Sequence, residues 1–141
     1  MTVAVVLRGR GETVTLSPDL SVADAVRLFA ERRIGAAPVM EGGRVLGVFS
    51  ERDVIHCLAA RGAEALSLPV TEGMTAPAIT VTPDQPVIAA LSLMTRRRIR
   101  HLPVLDGERL VGFVSIGDLV KYRMDRIEAE AAAMRDYIAG A

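Results

Sequence analysis

The sequence predicts an α+β module: two copies of one βαββα unit, packed as a pseudo-symmetric pair and followed by a long C-terminal helix. Three observations predict it. The chain matches itself without gaps at an offset of 65 residues, from about Val14 to Ile55 against Ile79 to Val120. Each copy carries a stretch of helical apolar spacing behind a short β run. Each copy then carries two apolar runs joined by a Gly-containing turn.

The offset superposes Ser17-Pro18-Asp19 on Thr82-Pro83-Asp84, Arg32-Arg33-Ile34 on Arg97-Arg98-Ile99, and Pro38-Val39 on Pro103-Val104. It also brings Gly42 onto Gly107, Gly47 onto Gly112, Ser50 onto Ser115 and Asp53 onto Asp118. The β runs are Val14-Thr15-Leu16 and Ile79-Thr80-Val81, with a turn and helix cap expected at Ser17-Pro18-Asp19 and Thr82-Pro83-Asp84. Val22, Ala25, Val26, Phe29 and Ala30 form one apolar helix face; Val87, Ala90, Leu91 and Met94 form its counterpart. Arg32-Arg33 and Arg96-Arg97-Arg98 fall in the last turns, where they complement the helix dipole. The hairpins run from Ala37 to Met40 and back from Arg44 to Phe49, and from Leu102 to Leu105 and back from Arg109 to Val114. The second turns at Asp106-Gly107, a strong hairpin signal. A second helix closes each unit, from Glu51 to about Ala60 and from Ile116 onward; the latter should continue to about Tyr137 through an Ala- and Glu-rich tail. The division expected is residues 1–61 for the first copy with its N-terminal arm, 62–78 for a connector with one helical turn at Thr71 to Met74, 79–122 for the second copy, and 123–141 for the helical extension.

The 141 residues suit one compact domain, or two half-size units sharing one core, and half of them are hydrophobic. Lys+Arg and Asp+Glu both number 17, so net charge gives no support to a nucleic-acid coat, and with no Trp the stacking platforms for single strands are scarce. Cys57 stands alone, which excludes an intrachain disulfide and fits a reducing compartment. Met1 to Leu7 is apolar but too short to span a membrane and lacks the basic region and cleavage site of a secretory signal, so the chain reads as cytoplasmic. There is no Gly-x-Ser-x-Gly, no phosphate loop and no paired His at metal spacing; Gly9-Arg10-Gly11 completes no dinucleotide fingerprint, so neither a catalytic residue nor a metal site is expected.

Both copies end on Gly-hydrophobic-hydrophobic-Ser-x-x-Asp: Gly47-Val48-Phe49-Ser50-Glu51-Arg52-Asp53 and Gly112-Phe113-Val114-Ser115-Ile116-Gly117-Asp118. Ile34-Gly35-Ala36-Ala37-Pro38-Val39 and Ile99-Arg100-His101-Leu102-Pro103-Val104 stand upstream, each led by Thr-x-x-Pro (Thr15 to Pro18, Thr80 to Pro83). With this ordered set twice over, the chain resembles a tandem pair of cystathionine-β-synthase (CBS) domains, a Bateman module, here with no other domain attached. The resemblance covers nearly the whole chain. It implies two sheets packed about a pseudo-two-fold axis, two clefts between them, and a homodimer. It also implies an adenosine-containing ligand (AMP, ADP, ATP, NAD(H) or S-adenosylmethionine) whose binding regulates a protein partner.

Residue chemistry agrees with a nucleotide. Ser50 and Ser115 stand at strand-to-helix junctions, where free N–H groups favour anions and a hydroxyl can donate to phosphate. Asp53 and Asp118, in the first helical turn, can each accept two hydrogen bonds from a ribose diol, worth about 1.5–3 kcal/mol for a charge-assisted bond. Pro38 and Pro103 follow residues biased to extended backbone, so nearby groups can meet the adenine edge. Thr80, Val81, Ile99, Leu102 and Pro103, with Thr15, Ala37 and Pro38 in the other copy, are the expected adenine pocket, and Ile79 joins Val81, Ile99 and Leu102 in sandwiching the ring. The family resemblance adds Arg100 and His101 as phosphate contacts. Copy one has Gly35 and Ala36 there, so the clefts should differ, and the site of Ser115 and Asp118 is expected to take a phosphorylated ligand better. Ser-x-x-Asp is equally a helix N-capping pattern, and a cap is compatible with a ligand above it. The competing functions are a structural dimerisation module with vestigial clefts, and a nucleic-acid binder using Arg96 to Arg100 as a basic patch.

Overall fold

The computed structural model describes residues 1–140. A short helix α1 (Val3–Leu7) opens the chain. Copy one follows as α2 (Val22–Arg32), the hairpin β1 (Ala36–Glu41) and β2 (Arg44–Ser50), and α3 (Glu51–Arg61). Two 3-10 segments, Gly62–Ser67 and Val70–Glu72, make up most of the connector. Copy two is α4 (Val87–Arg97), the hairpin β3 (His101–Asp106) and β4 (Arg109–Ser115), and α5 (Ile116–Gly140). The hairpins are antiparallel and superpose residue by residue at the offset of 65: Ala36 faces Ser50 as His101 faces Ser115, and each has a bulge after Val39 or Val104.

The expected β runs shrink to one parallel bridge each, Leu16 with Val39 and Val81 with Val104. Leu16 is held by Pro38 O and Met40 N–H, both at 2.9 Å, so it edges the hairpin without extending along it. The helix caps fall later than expected. Ser17-Pro18-Asp19 and Thr82-Pro83-Asp84 form turns, closed by Leu20 N–H on Ser17 O and Gln85 N–H on Thr82 O. Helix α2 is capped instead by Ser21, whose hydroxyl accepts from Asp24 N–H, while Pro86 precedes α4 with no side-chain cap. The predicted apolar faces are narrower than their spacing implied: Val26 and Ala30 lie exposed, and Val22, Ala25 and Phe29 carry the burial.

The buried residues form two clusters, one per copy, in place of one shared core. Leu16, Val22, Phe29, Val39 and Phe49 lie in the first, Val81, Val87, Met94, Val104 and Leu119 in the second. Each core borrows a residue from the segment that leads the other copy. Val70, in the connector, is fully buried in the first core; Val3, in α1, is fully buried in the second. The borrowing is symmetric down to single hydrogen bonds. Val70 N–H donates to Leu20 O and Val22 N–H to Leu68 O; Val3 N–H donates to Gln85 O and Val87 N–H to Met1 O. The expected arm Met1 to Leu7 is thus a structural element of copy two. Gly47 and Gly112 make room for these crossings. A Cβ on Gly47 would sit 2.6 Å from Thr75 O, and one on Gly112 2.6 Å from the Leu7 side chain.

Candidate functional site

The crossing exchange decides which residues meet. Two clefts lie between the copies, of about 540 and 350 Å³, both within the range of small-molecule sites. The larger holds Ser115 and Asp118 of copy two, but the residues facing them are Val14, Arg33, Ile34 and Gly35 of copy one, with Arg10 and Leu7 from the leading segment. The smaller holds Ser50 and Asp53 of copy one, and facing them are Ile79, Arg98, Ile99 and Arg100 of copy two, with Thr75 from the connector. Each cleft therefore joins a helix N-terminus of one copy to an apolar pair (Val14 with Ile34, or Ile79 with Ile99) and to basic residues of the other.

Both Ser-x-x-Asp motifs fold as N-caps. Asp53 Oδ2 accepts from Ser50 N–H at 2.9 Å and from its hydroxyl at 3.0 Å, while Oδ1 accepts from the Thr75 hydroxyl at 3.2 Å. Asp53 is the one charged residue buried among the described ones. Asp118 Oδ2 accepts from Ser115 N–H at 2.8 Å, and Asp118 N–H donates to the Ser115 hydroxyl at 3.0 Å. What differs is the third partner. Where Asp53 meets a threonine, Asp118 meets Arg10, through Nη1 on Oδ2 at 3.1 Å and Nη2 on Oδ1 at 3.0 Å. Partial burial pushes the Asp118 carboxyl upward, but the hydrogen bonds from Arg10 and Ser115 outweigh it and hold the group below the usual carboxylate range.

His101 lines both clefts, as does Gly35. Its ring stacks on Phe113, with centroids 5.5 Å apart and planes 8° from parallel. Burial lowers its pKa, against the carboxylates of Asp118 and Glu51, so the imidazole is neutral at pH 7. Arg33 and Arg98 take left-handed backbone at the ends of α2 and α4, with φ of 54° and 55°, which turns the chain into the cleft-lining Ile34 and Ile99.

Of the residues expected at the site, Asp53, Ser50, Asp118, Ser115, Arg100, His101 and Ile99 all line a cleft. Arg100 faces Asp53, across from the copy it belongs to, and not Asp118. Seven expected adenine contacts line neither cleft. Ala37, Pro38, Val81, Leu102 and Pro103 are buried, Thr15 is exposed to solvent and Thr80 is half-buried. Leu102, Pro103 and Val104 are buried in succession along β3, which leaves Ile99 to His101 to face the clefts. Arg10, Arg33, Val14 and Thr75 were missed. The Arg96 to Arg98 run divides, with Arg98 in the cleft and Arg96 and Arg97 exposed at the helix end.

Two repeats that exchange leading segments, with a cleft on each side between them, define a tandem module of the Bateman type. The CBS domain profile matches residues 10–60 and again 67–125, and the chain belongs to the CBS-domain family. It is 33% identical to the mitochondrial CBS domain-containing protein CBSX3 of Arabidopsis thaliana, over 99% of this chain and 72% of that one. Among solved structures it is similar to a CBS-domain protein of Agrobacterium tumefaciens, with TM-score 0.82 and 36% identity, covering 86% of this chain and 92% of that one. A CBS domain protein of Pyrobaculum aerophilum, solved in complex with AMP, superposes with TM-score 0.75 at 30% identity, covering 84% and 89% of the two chains. None of the described helices is long and apolar enough to cross a membrane.

Proposed function

We propose that the chain is a non-catalytic regulatory module. It binds an adenosine-containing ligand, AMP foremost among AMP, ADP, ATP, NAD(H) and S-adenosylmethionine, and passes the signal to a partner protein in the cytoplasm by a change in packing between its copies. The observation that carries this reading is the make-up of each cleft. A ribose-binding carboxylate and a helix N-terminus come from one copy, and an apolar slot and guanidinium groups from the other, so ligand in either cleft bridges both copies. The AMP complex of the Pyrobaculum relative supports the ligand class. Guanidinium groups line both clefts, Arg10 and Arg33 beside Asp118 and Arg98 and Arg100 beside Asp53, which supports a phosphorylated ligand in either.

One observation favours the second reading, an interaction module with idle clefts: both carboxylates already have partners within the chain. Thermal melts with each of the five ligands separate the two readings. A ligand at about a hundred times its dissociation constant adds roughly 2.7 kcal/mol. Asp118→Ala should weaken binding at the larger cleft about ten- to a hundredfold by calorimetry. No stabilisation by any of the five would leave the interaction module.

A further inference from the structure

Helix α5 runs 25 residues, about 37 Å, and its one buried residue is Leu119. Tyr122 still packs on the second core, but beyond it the apolar side chains are exposed. They are not scattered. Val120, Met124, Ile127, Ala131, Met134 and Ile138 recur at alternating steps of four and three, so they form one seam along the helix, the a and d positions of a heptad repeat. Ile138 is 66% exposed and more than four turns beyond Tyr122, so it has no role in the folded unit.

The residues flanking the seam say what covers it. One flank carries Lys121, Glu128 and Arg135, the other Arg123, Glu130 and Tyr137. In a parallel pair of identical helices each g residue meets the e residue five positions on in the other chain. That sets Arg123 against Glu128 and Glu130 against Arg135, opposite charges in every case, and twice over by symmetry. Full antiparallel overlap would set Glu128 against Glu128, Glu130 against Glu130 and Lys121 against Arg135, all of like charge. We propose that α5 pairs with α5 of a second copy of this chain as a parallel two-stranded coiled coil. Ala131 at the centre of the seam lets the helices approach closely. The parallel arrangement puts both nucleotide modules at the same end, so the ligand state of one module can be felt by the other. The pairing stands independently of what the clefts bind.

Two full-chain variants test it by sedimentation equilibrium in low salt. Arg123→Glu with Arg135→Glu makes all four flanking positions acidic; Glu128→Arg with Glu130→Arg makes them all basic. Each alone should weaken self-association by at least about tenfold, and mixing the two should restore it, which a misfolded variant would not do. In a Cys57→Ala background, Ile138→Cys should form an interchain disulfide on oxidation, because the parallel register sets position 138 beside its twin. Charge variants that associate as the parent does would overturn the pairing. Cross-linking of Ile138→Cys to Val120→Cys, in place of Ile138→Cys to itself, would overturn the parallel orientation.

Discussion

Removing Arg10 should pull apart the affinities of the larger cleft for AMP and for adenosine. Each carboxylate oxygen has two acceptor directions. On Asp118, Oδ2 is filled by Ser115 N–H and Arg10 Nη1, and Oδ1 already takes Arg10 Nη2. One direction remains, whereas a ribose 2′,3′-diol brings two donors. Arg10 must therefore release at least one contact when a nucleoside enters. With adenosine nothing replaces that contact; with AMP the freed guanidinium meets the phosphate. The two side chains are 39% and 31% exposed, so the Arg10–Asp118 pair is worth about 0.5–1 kcal/mol after screening. A guanidinium–phosphate contact of similar exposure contributes about 1–1.5 kcal/mol. Arg10→Ala should then tighten adenosine by about two- to fivefold and weaken AMP by about twofold, because the lost phosphate contact is partly offset by the pair that no longer has to be broken. Calorimetry with both ligands reads this directly, on protein carrying Arg98→Ala and Arg100→Ala to quiet the smaller cleft. Both affinities moving together, or neither moving, would refute the idea that Arg10 passes from carboxylate to phosphate.

Asp53→Ala removes three hydrogen bonds at a buried cap and should cost about 2–3 kcal/mol in urea unfolding, against about 1 kcal/mol for Asp118→Ala; equal losses would contradict the assigned burial. Gly47→Ala drives a Cβ into a backbone carbonyl and should cost about 1–3 kcal/mol, whereas Gly112→Ala meets a leucine end that can rotate away and should cost less. The ordering of their melting temperatures checks it. His101 has a lowered pKa in the folded chain, so the unfolded chain takes up its proton first, and stability should fall as pH drops through about 6.5 toward the folded value. His101→Gln should flatten that part of the stability curve; an unchanged slope between pH 7.5 and 5 would count against a buried, neutral imidazole.

What the sequence made legible was whatever depends on local chemistry repeated in register. Asp106-Gly107 specifies a hairpin whichever core it later joins, and Ser50-x-x-Asp53 specifies a helix start by hydrogen bonds within three residues. The offset placed β2 and β4, and with them both carboxylates, to within a residue. The pairing of segments was not legible. Val3 and Val70 are interchangeable apolar residues, and nothing near either in sequence says which copy will bury it. That choice is made by where Gly47 and Gly112 leave room. The reassignment of Arg100 to Asp53 follows from the same tertiary choice. The helix starts were misplaced for a local reason: Ser17-Pro18-Asp19 has the composition of a cap and of a turn, and the true cap, Ser21 with Asp24 three residues on, stood just beyond it. Arg10 carried no signal, because its partner lies 108 residues away.

The exchange of leading segments also explains how a duplicated unit arrives at two unlike clefts. Had each copy built its own site, Asp53 would meet Arg33 and Gly35, and Asp118 would meet Arg98, Arg100 and His101. Crossing redistributes them. The cleft built on Asp53 receives Arg98 and Arg100, while the cleft built on Asp118 receives Arg33 and Gly35 and a second cation, Arg10, from the leading segment. The two sites then meet at Gly35 and His101, which border both. His101, which borders both clefts, stacks on Phe113 of the strand that leads into α5.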